Sequence, residues 1–255
     1  MYGTFILGTA GSGKSTLTSI LQQWIASNDM DVVTVNLDPG VRHLPYGPDI
    51  DIRDYVSLDA VMQEYELGPN GALLVSVDLI ANELEQFQEE LTDLAPEIVL
   101  FDTPGQIELF AYRTVGPIVF SSLGGEKNVI TYLYDAHLSR DPTGFISLAF
   151  LGMSVNFRFQ LPMISVLTKS DLLSEIELER MLDWAQTPSS ISIDLERSTK
   201  GLSREVSRDV LDMLGKFTDL PELHPVSMKE FYGIAEVYGL LTRYWSGGED
   251  YVTQI

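Results

Sequence analysis

Residues 8–15 read GTAGSGKS, a complete match to the pattern G-x-x-x-x-G-K-[ST]. The pattern needs a strand before it and a helix after it. Successive backbone N–H groups curl round a phosphate while the positive end of a helix dipole stands behind them. Both contexts are present, with Phe5, Ile6 and Leu7 ahead of the loop and Leu17, Ile20, Leu21 and Trp24 behind it at helical spacing. A glycine-rich turn capped by Ser12 would need neither. Gly11, Ser12, Gly13, Lys14, Ser15 and Thr16 are thus the expected phosphate cradle, with Lys14 reaching the β and γ oxygens and the Ser15 hydroxyl ligating Mg²⁺.

Beyond the loop, apolar runs at 4–7, 31–37, 98–102, 129–135 and 163–168, with a short one near 224–227, alternate with helical patterns. That alternation predicts an α/β fold with a doubly wound, mostly parallel sheet flanked by helices and ligands at the carboxyl ends of the strands. A length of 255 residues with 45% hydrophobic content suits one domain.

Composition limits the chemistry. The chain has no cysteine, which removes disulfides and thiol catalysis, and its three histidines are scattered without metal-ligand spacing. A net charge of -21 opposes non-specific binding to nucleic acid or an anionic membrane. No run reaches the roughly 18 apolar residues of a membrane span. The first strand follows the N-terminus closely, so no signal peptide is expected, and the expected setting is cytoplasmic.

Two strands end on carboxylates. The second delivers Asp38 before Pro39, where it could hold Mg²⁺ through water, orient an attacking water, or cap a turn. The strand at 98–102 delivers DTPGQ: Asp102 for the metal shell, the Gly105 N–H for a γ-phosphate and Gln106 for a water placed in line. Residues 40–53, rich in proline and glycine, read as an irregular loop able to switch, flanked by Arg42 and Arg53 as fingers or as salt-bridge partners.

A helix is expected over about 54–66, then the turn GPNG at 68–71. Leu73, Val77, Ile80, Leu84, Phe87, Leu91 and Leu94 follow at spacings that predict one amphipathic helix, packed on the sheet or forming a seam between subunits. Residues 141–159 are expected to cover the sheet. Thr168, Lys169 and Asp171, in TKSD after a further strand, suit a purine base. A carboxylate can accept from both the ring N1–H and the exocyclic amine of guanine, a pair adenine lacks, and the Lys169 stem can lie across the ring. Ser227, in HPVS, or the backbone beside it is a candidate contact to the guanine O6. Ser174 and Glu177 form a capping-box pattern, residues 187–190 read as a loop, Val206, Val210, Leu211 and Leu214 as a helical stripe, 231–245 as a terminal helix and 246–255 as a tail.

Taken in order, GTAGSGKST, NLDPG, the triplet Gly68-Pro69-Asn70, DTPGQIELF and TKSD resemble the GPN-loop GTPases, most nearly their archaeal branch, over almost the whole chain. The resemblance implies a phosphate-loop fold of the SIMIBI class, GTP hydrolysed to GDP with Mg²⁺, and a homodimer in which Asn70 of one subunit reaches the phosphates of the other. Related dimeric nucleoside triphosphatases that carry a signature lysine put it where Thr9 stands here, so another group must meet charge developing on the γ-phosphate, and turnover should be slow. Gly40 stands where the family usually has alanine. The leading expectation is therefore a dimeric GTP switch using Lys14, Asp38, Asp102, Gln106 and Asn70. A phosphate-loop kinase acting on a small molecule or polynucleotide is the alternative, and a nucleotide-gated factor for a client such as RNA polymerase, by family analogy, is a third reading.

Overall fold

The computed structural model describes residues 1–123, 127–198 and 222–247. Seven strands form one sheet: β1 (Tyr2–Gly8), β2 (Val32–Asn36), β3 (Ile50–Asp51), β4 (Ile98–Asp102), β5 (Lys127–Asp135), β6 (Met163–Thr168) and β7 (Leu223–Pro225). Their order is β3-β2-β4-β1-β5-β6-β7, and every pairing is parallel. Parallel strands need crossovers, and the helices that supply them cover both faces, so the central strands are apolar on both sides.

The two-residue period of a strand divides β1 between two cores. Phe5 and Leu7 face one, with Val35, Phe101 and Tyr132, under helices α2 (Leu58–Glu64), α3 (Pro69–Leu79), α4 (Leu84–Leu94), α6 (Val115–Leu123) and α7 (Pro142–Phe159). Ile6 faces the other, with Leu100, Leu133 and Val166, under helix α1 (Lys14–Ser27) and the helix Ile234–Trp245. Thr4 and Thr131 pair their buried hydroxyls at 2.8 Å between adjacent central strands, so neither is left unsatisfied. The chain crosses from one half of the sheet to the other after β4, and the phosphate loop opens from the central strand β1.

Several expectations are corrected. Residues 40–53 are not wholly irregular, since β3 and a 3₁₀ turn at Ile52–Asp54 lie within them. The helix expected over 54–66 is confined to α2, whose N-cap Ser57 accepts from the Ala60 N–H. The long apolar stripe is divided: α3 ends, a 3₁₀ turn spans Ile80–Asn82, and α4 begins at Leu84. Ile80, Leu84, Phe87 and Leu91 stay buried across the break, but Leu94, the last residue of the stripe, is 48% exposed. A 3₁₀ turn advances three residues per turn, so it keeps an i, i+3, i+4 pattern facing inward while bending the path.

GPNG is likewise not a free turn. Gly68 is the extended N-cap of α3 and Pro69 its first residue, where a missing N–H costs nothing. Residues 187–190 are not a loop either, because helix α9 (Pro188–Ser198) begins on a proline for the same reason. Ser174 and Glu177 do close a capping box on α8 (Glu175–Gln186). The terminal helix starts at Ile234 rather than 231, behind Phe231 and Gly233, which both have positive φ. The 206–214 stripe and residues 248–255 of the tail lie outside the described residues. Among the described residues no helix is long and apolar enough to cross a membrane.

Candidate functional site

The loop at 8–15 leaves β1 at its carboxyl end and turns directly into α1. Gly11 and Gly13 have φ of 75° and 97°, the left-handed region that a side chain resists, which is why glycine is needed there. Gly13 caps α1 with no side-chain hydrogen bond, leaving the first N–H groups of the helix for an anion. Lys14, 6% exposed, folds back and donates to the carbonyls of Gly8 and Thr9, each at 3.0 Å. Burial pulls its pKa down, while Asp102 and Asp38 act to raise it.

The two acidic strand tips converge on this lysine from β2 and β4. The Asp38 carboxylate accepts from the Gly40 N–H at 2.8 Å and from the Gly105 N–H at 3.1 Å. Gly105 was expected to donate to a γ-phosphate, and here a carboxylate oxygen takes that donor. Asp102 is 1% exposed, and burial pushes its pKa up to about 6 against the opposing pull of Ser15, Tyr46 and Lys14. Its Oδ2 accepts from the Tyr46 hydroxyl at 3.0 Å. Burial and the Asp102 charge push the Tyr46 phenol well above the usual range, so it stays a donor. Asp102 Oδ1, Thr9 Oγ1 and Ser12 Oγ are buried without a protein hydrogen-bond partner. The orphaned Asp102 oxygen beside the uncapped N-terminus of α1 fits a metal–phosphate group, and Ser15 beside Asp102 is a donor pair of the hard-oxygen kind that Mg²⁺ takes.

Gln106, half-buried, is the N-cap of the short helix Ile107–Ala111 and makes no side-chain capping bond. Asn70 is exposed at the start of α3, and no hydrogen bond of its side chain is present among the described residues. The start of α3 nonetheless abuts the phosphate end: a Cβ on Gly40 would lie 2.8 Å from Leu73 Cδ1. An alanine at position 40 would therefore require Leu73 to shift. Arg53 is no finger here. It grips Asp51, with a closest ion-pair approach of 2.5 Å, and donates to the Val41 carbonyl; Arg42 is exposed.

At the other end, Thr168 closes β6 and donates to the Ser12 carbonyl at 2.8 Å, tying the base side to the phosphate loop. Lys169, at φ 59°, is held between the Gly11 carbonyl at 2.7 Å and Asp135 Oδ2 at 2.6 Å. Asp171 Oδ1 accepts from the Ser227 hydroxyl at 2.9 Å, and the same Ser227 oxygen accepts from the Glu230 N–H. Ser227 thus spends its hydroxyl on Asp171. A cleft of about 390 Å³ opens beside Asp171, bounded by Gly11, Gly13, Thr16, Lys169, Asp171 and Met228, with Lys229 at its edge.

Two residues escaped the sequence reading. Tyr46 sits in a proline-rich loop whose path follows from no local pattern. Asp135 had a usable signal, a carboxylate ending an apolar strand as Asp38 and Asp102 do.

The family described as "Conserved hypothetical ATP binding protein" matches residues 6–245. The chain is 31% identical over 252 residues to GPN-loop GTPase 1 of Saccharomyces cerevisiae, covering 96% of this chain and 63% of that protein. It is 37% identical to GPN-loop GTPase 3 of Kluyveromyces lactis, covering 74% of this chain and 71% of that one, and 31% identical to GPN-loop GTPase 3 of Schizosaccharomyces pombe, covering 84% and 80%. Among solved structures, a GTPase from Pyrococcus abyssi in apo form superposes with a TM-score of 0.83 at 29% identity, covering 96% of this chain and 97% of that one. Cobyrinic acid a,c-diamide synthase from Mycobacterium smegmatis, at 14% identity and a TM-score of 0.50, shares the fold. With its phosphate loop, strand-tip carboxylates and GPN triplet in these positions, the chain belongs to the GPN-loop GTPase family.

Proposed function

We propose that the chain, as a single domain, binds GTP and hydrolyses it slowly to GDP and phosphate, working as a homodimeric switch. The observation that carries the reading is the base end of the cleft. Ser227 holds one oxygen of Asp171, which leaves the carboxylate turned and ready, and Lys169 is anchored so that its stem flanks the cleft. A carboxylate fixed in this way favours two donors on one purine edge, which guanine has and adenine lacks. That supports GTP over the ATP of the family description, in line with the names of the curated relatives.

In the proposed reaction Lys14 leaves the Gly8 and Thr9 carbonyls for the β and γ oxygens, and N–H groups of the loop and of Gly105 take the rest. Ser15, Asp38 and Asp102 would hold magnesium, directly or through water, and bound there it supplies charge neutralisation for the phosphates. Gln106 or Asp38 orients the attacking water, which passes its proton on to phosphate as the bond to the leaving GDP breaks. The phosphate loop carries Thr9 in place of a cation, so charge on the γ-phosphate lacks one donor. Asn70, exposed and with no side-chain hydrogen bond among the described residues, supplies it from a second copy. The Leu73–Gly40 contact gives α3 a route by which dimer geometry follows the phosphate end.

We place the switch in the cytoplasm, with a client protein whose assembly it times; RNA polymerase is the client that family resemblance suggests. The test is Asn70→Ala assayed for GTP affinity and single-turnover hydrolysis. Affinity should hold while hydrolysis falls roughly 100-fold, the usual cost of one lost transition-state donor. Hydrolysis at the wild-type rate at saturating GTP would overturn the trans contribution.

A further inference from the structure

Among the described residues, a hydrogen bond from one side chain of residues 41–49 reaches the carboxylates of the phosphate end. The Tyr46 hydroxyl reaches Asp102 Oδ2 at 3.0 Å. Straps on both sides hold it there. Ser19 of α1 donates to the Pro45 carbonyl at 3.3 Å, and the Asp49 carboxylate takes the Thr34 N–H and hydroxyl at 2.7 and 2.8 Å. Arg53 donates to the Val41 carbonyl at 3.2 Å, fixing the start of the loop.

The two oxygens of Asp102 therefore differ. Oδ2 is bonded to Tyr46, whereas Oδ1 is buried and has no hydrogen-bond partner among the described residues. Leaving a buried charged oxygen open is costly unless a ligand completes it. A carboxylate has one stiff plane, so a bond that fixes Oδ2 also fixes where Oδ1 points. Without the phenol, only the Ser15 hydroxyl and the Lys14 charge would act on the group, and its plane would be held less firmly.

We propose that Tyr46 is a positioning residue for the metal–nucleotide: it holds Asp102 so that Oδ1 is kept open for the shell of a magnesium ion. The inference rests on the reading that Asp102 and Ser15 take part in holding that ion. It also makes residues 41–49 respond to the metal, because any movement of Asp102 on metal binding pulls directly on a loop strapped to α1 and β2.

Tyr46→Phe removes the hydroxyl and keeps the ring. The measurement is equilibrium binding of a fluorescent, non-hydrolysable GTP analogue, first in EDTA and then across a magnesium titration. For the wild type, affinity should rise with magnesium. For Tyr46→Phe, the magnesium midpoint should move roughly tenfold higher while affinity in EDTA stays within about twofold, as expected for loss of one hydrogen bond to a charged group. An unshifted midpoint in a wild type that does respond to magnesium would overturn the role of Tyr46 alone. A parallel loss of affinity in EDTA and in magnesium would also overturn it, since a general loop defect would act on both. No magnesium response in the wild type would overturn the underlying metal reading and the inference with it.

Discussion

At the base end of the cleft, Asp171 is held by Ser227, Lys169 is anchored by Gly11 and Asp135, and Thr168 is pinned to the loop. At the phosphate end, the groups a nucleotide would use are turned on the protein itself: Lys14 on two carbonyls of its own loop, the Gly105 N–H on Asp38, Tyr46 on Asp102. The first arrangement can receive a base with little movement, and the second must exchange partners before it can hold phosphates. On the proposed reading, recognition of the base is preorganised, while phosphate binding is coupled to a rearrangement. A switch needs that asymmetry, because only the phosphate end can tell GTP from GDP.

The comparison can be broken at either end. Lys14→Ala should have the largest effect, lowering GTP affinity roughly 100-fold or more by calorimetry, since charge-assisted bonds to two phosphate groups are lost. A loss of less than tenfold would mean that the lysine keeps its loop contacts when nucleotide binds. Asp171→Asn should cost roughly 10- to 100-fold for GTP and shift preference towards xanthosine triphosphate, whose base has an acceptor where guanine has a donor. Unchanged GTP affinity would remove the base assignment.

A third effect concerns pH. Burial raises Asp102 to about 6, so the folded protein binds that proton more tightly than the unfolded chain does. Stability of the nucleotide-free protein should therefore fall as pH rises from the unfolded carboxylate range through 6 and level off above it. Asp51, Asp141 and Glu177 are shifted down and act in the opposite sense at lower pH, so the reading is taken as a difference. Relative to Asp102→Asn, the wild type should lose about 2 kcal/mol between pH 4.5 and 7.5 in urea unfolding. A flat difference would mean that Lys14 and the two hydroxyls already neutralise the site. Smallest is Ser227→Ala, expected to weaken GTP roughly three- to tenfold and adenine nucleotides not at all. Equal weakening of both would make Ser227 a general support of the fold.

Much of this was legible because its causes are local. The bounds of β4 follow from an uninterrupted apolar run and those of β6 from an apolar run that Ser165 interrupts, and the phosphate loop from glycines that only one backbone shape requires. Asp102 and Asp171 could be placed because strand ends in a parallel sheet face the ligand. What escaped depends on distant partners. Strand β3 has two residues, recruited by pairing with β2 rather than by any pattern of their own. The bend at Ile80–Asn82 leaves the apolar spacing intact and so is invisible to it. Tyr46 and Ser227 each meet their carboxylate across 56 positions of sequence, and no periodicity records such a pairing.

The asymmetry between the two ends is tested most directly by a crystal structure of the chain with magnesium and a non-hydrolysable GTP analogue. The account predicts that the Ser227–Asp171 bond survives unchanged beneath the guanine, while Lys14 leaves Gly8 and Thr9 and the Gly105 N–H leaves Asp38 for the γ-phosphate. A complex in which Asp171 turns away from Ser227 while Lys14 and Gly105 keep their present partners would contradict it.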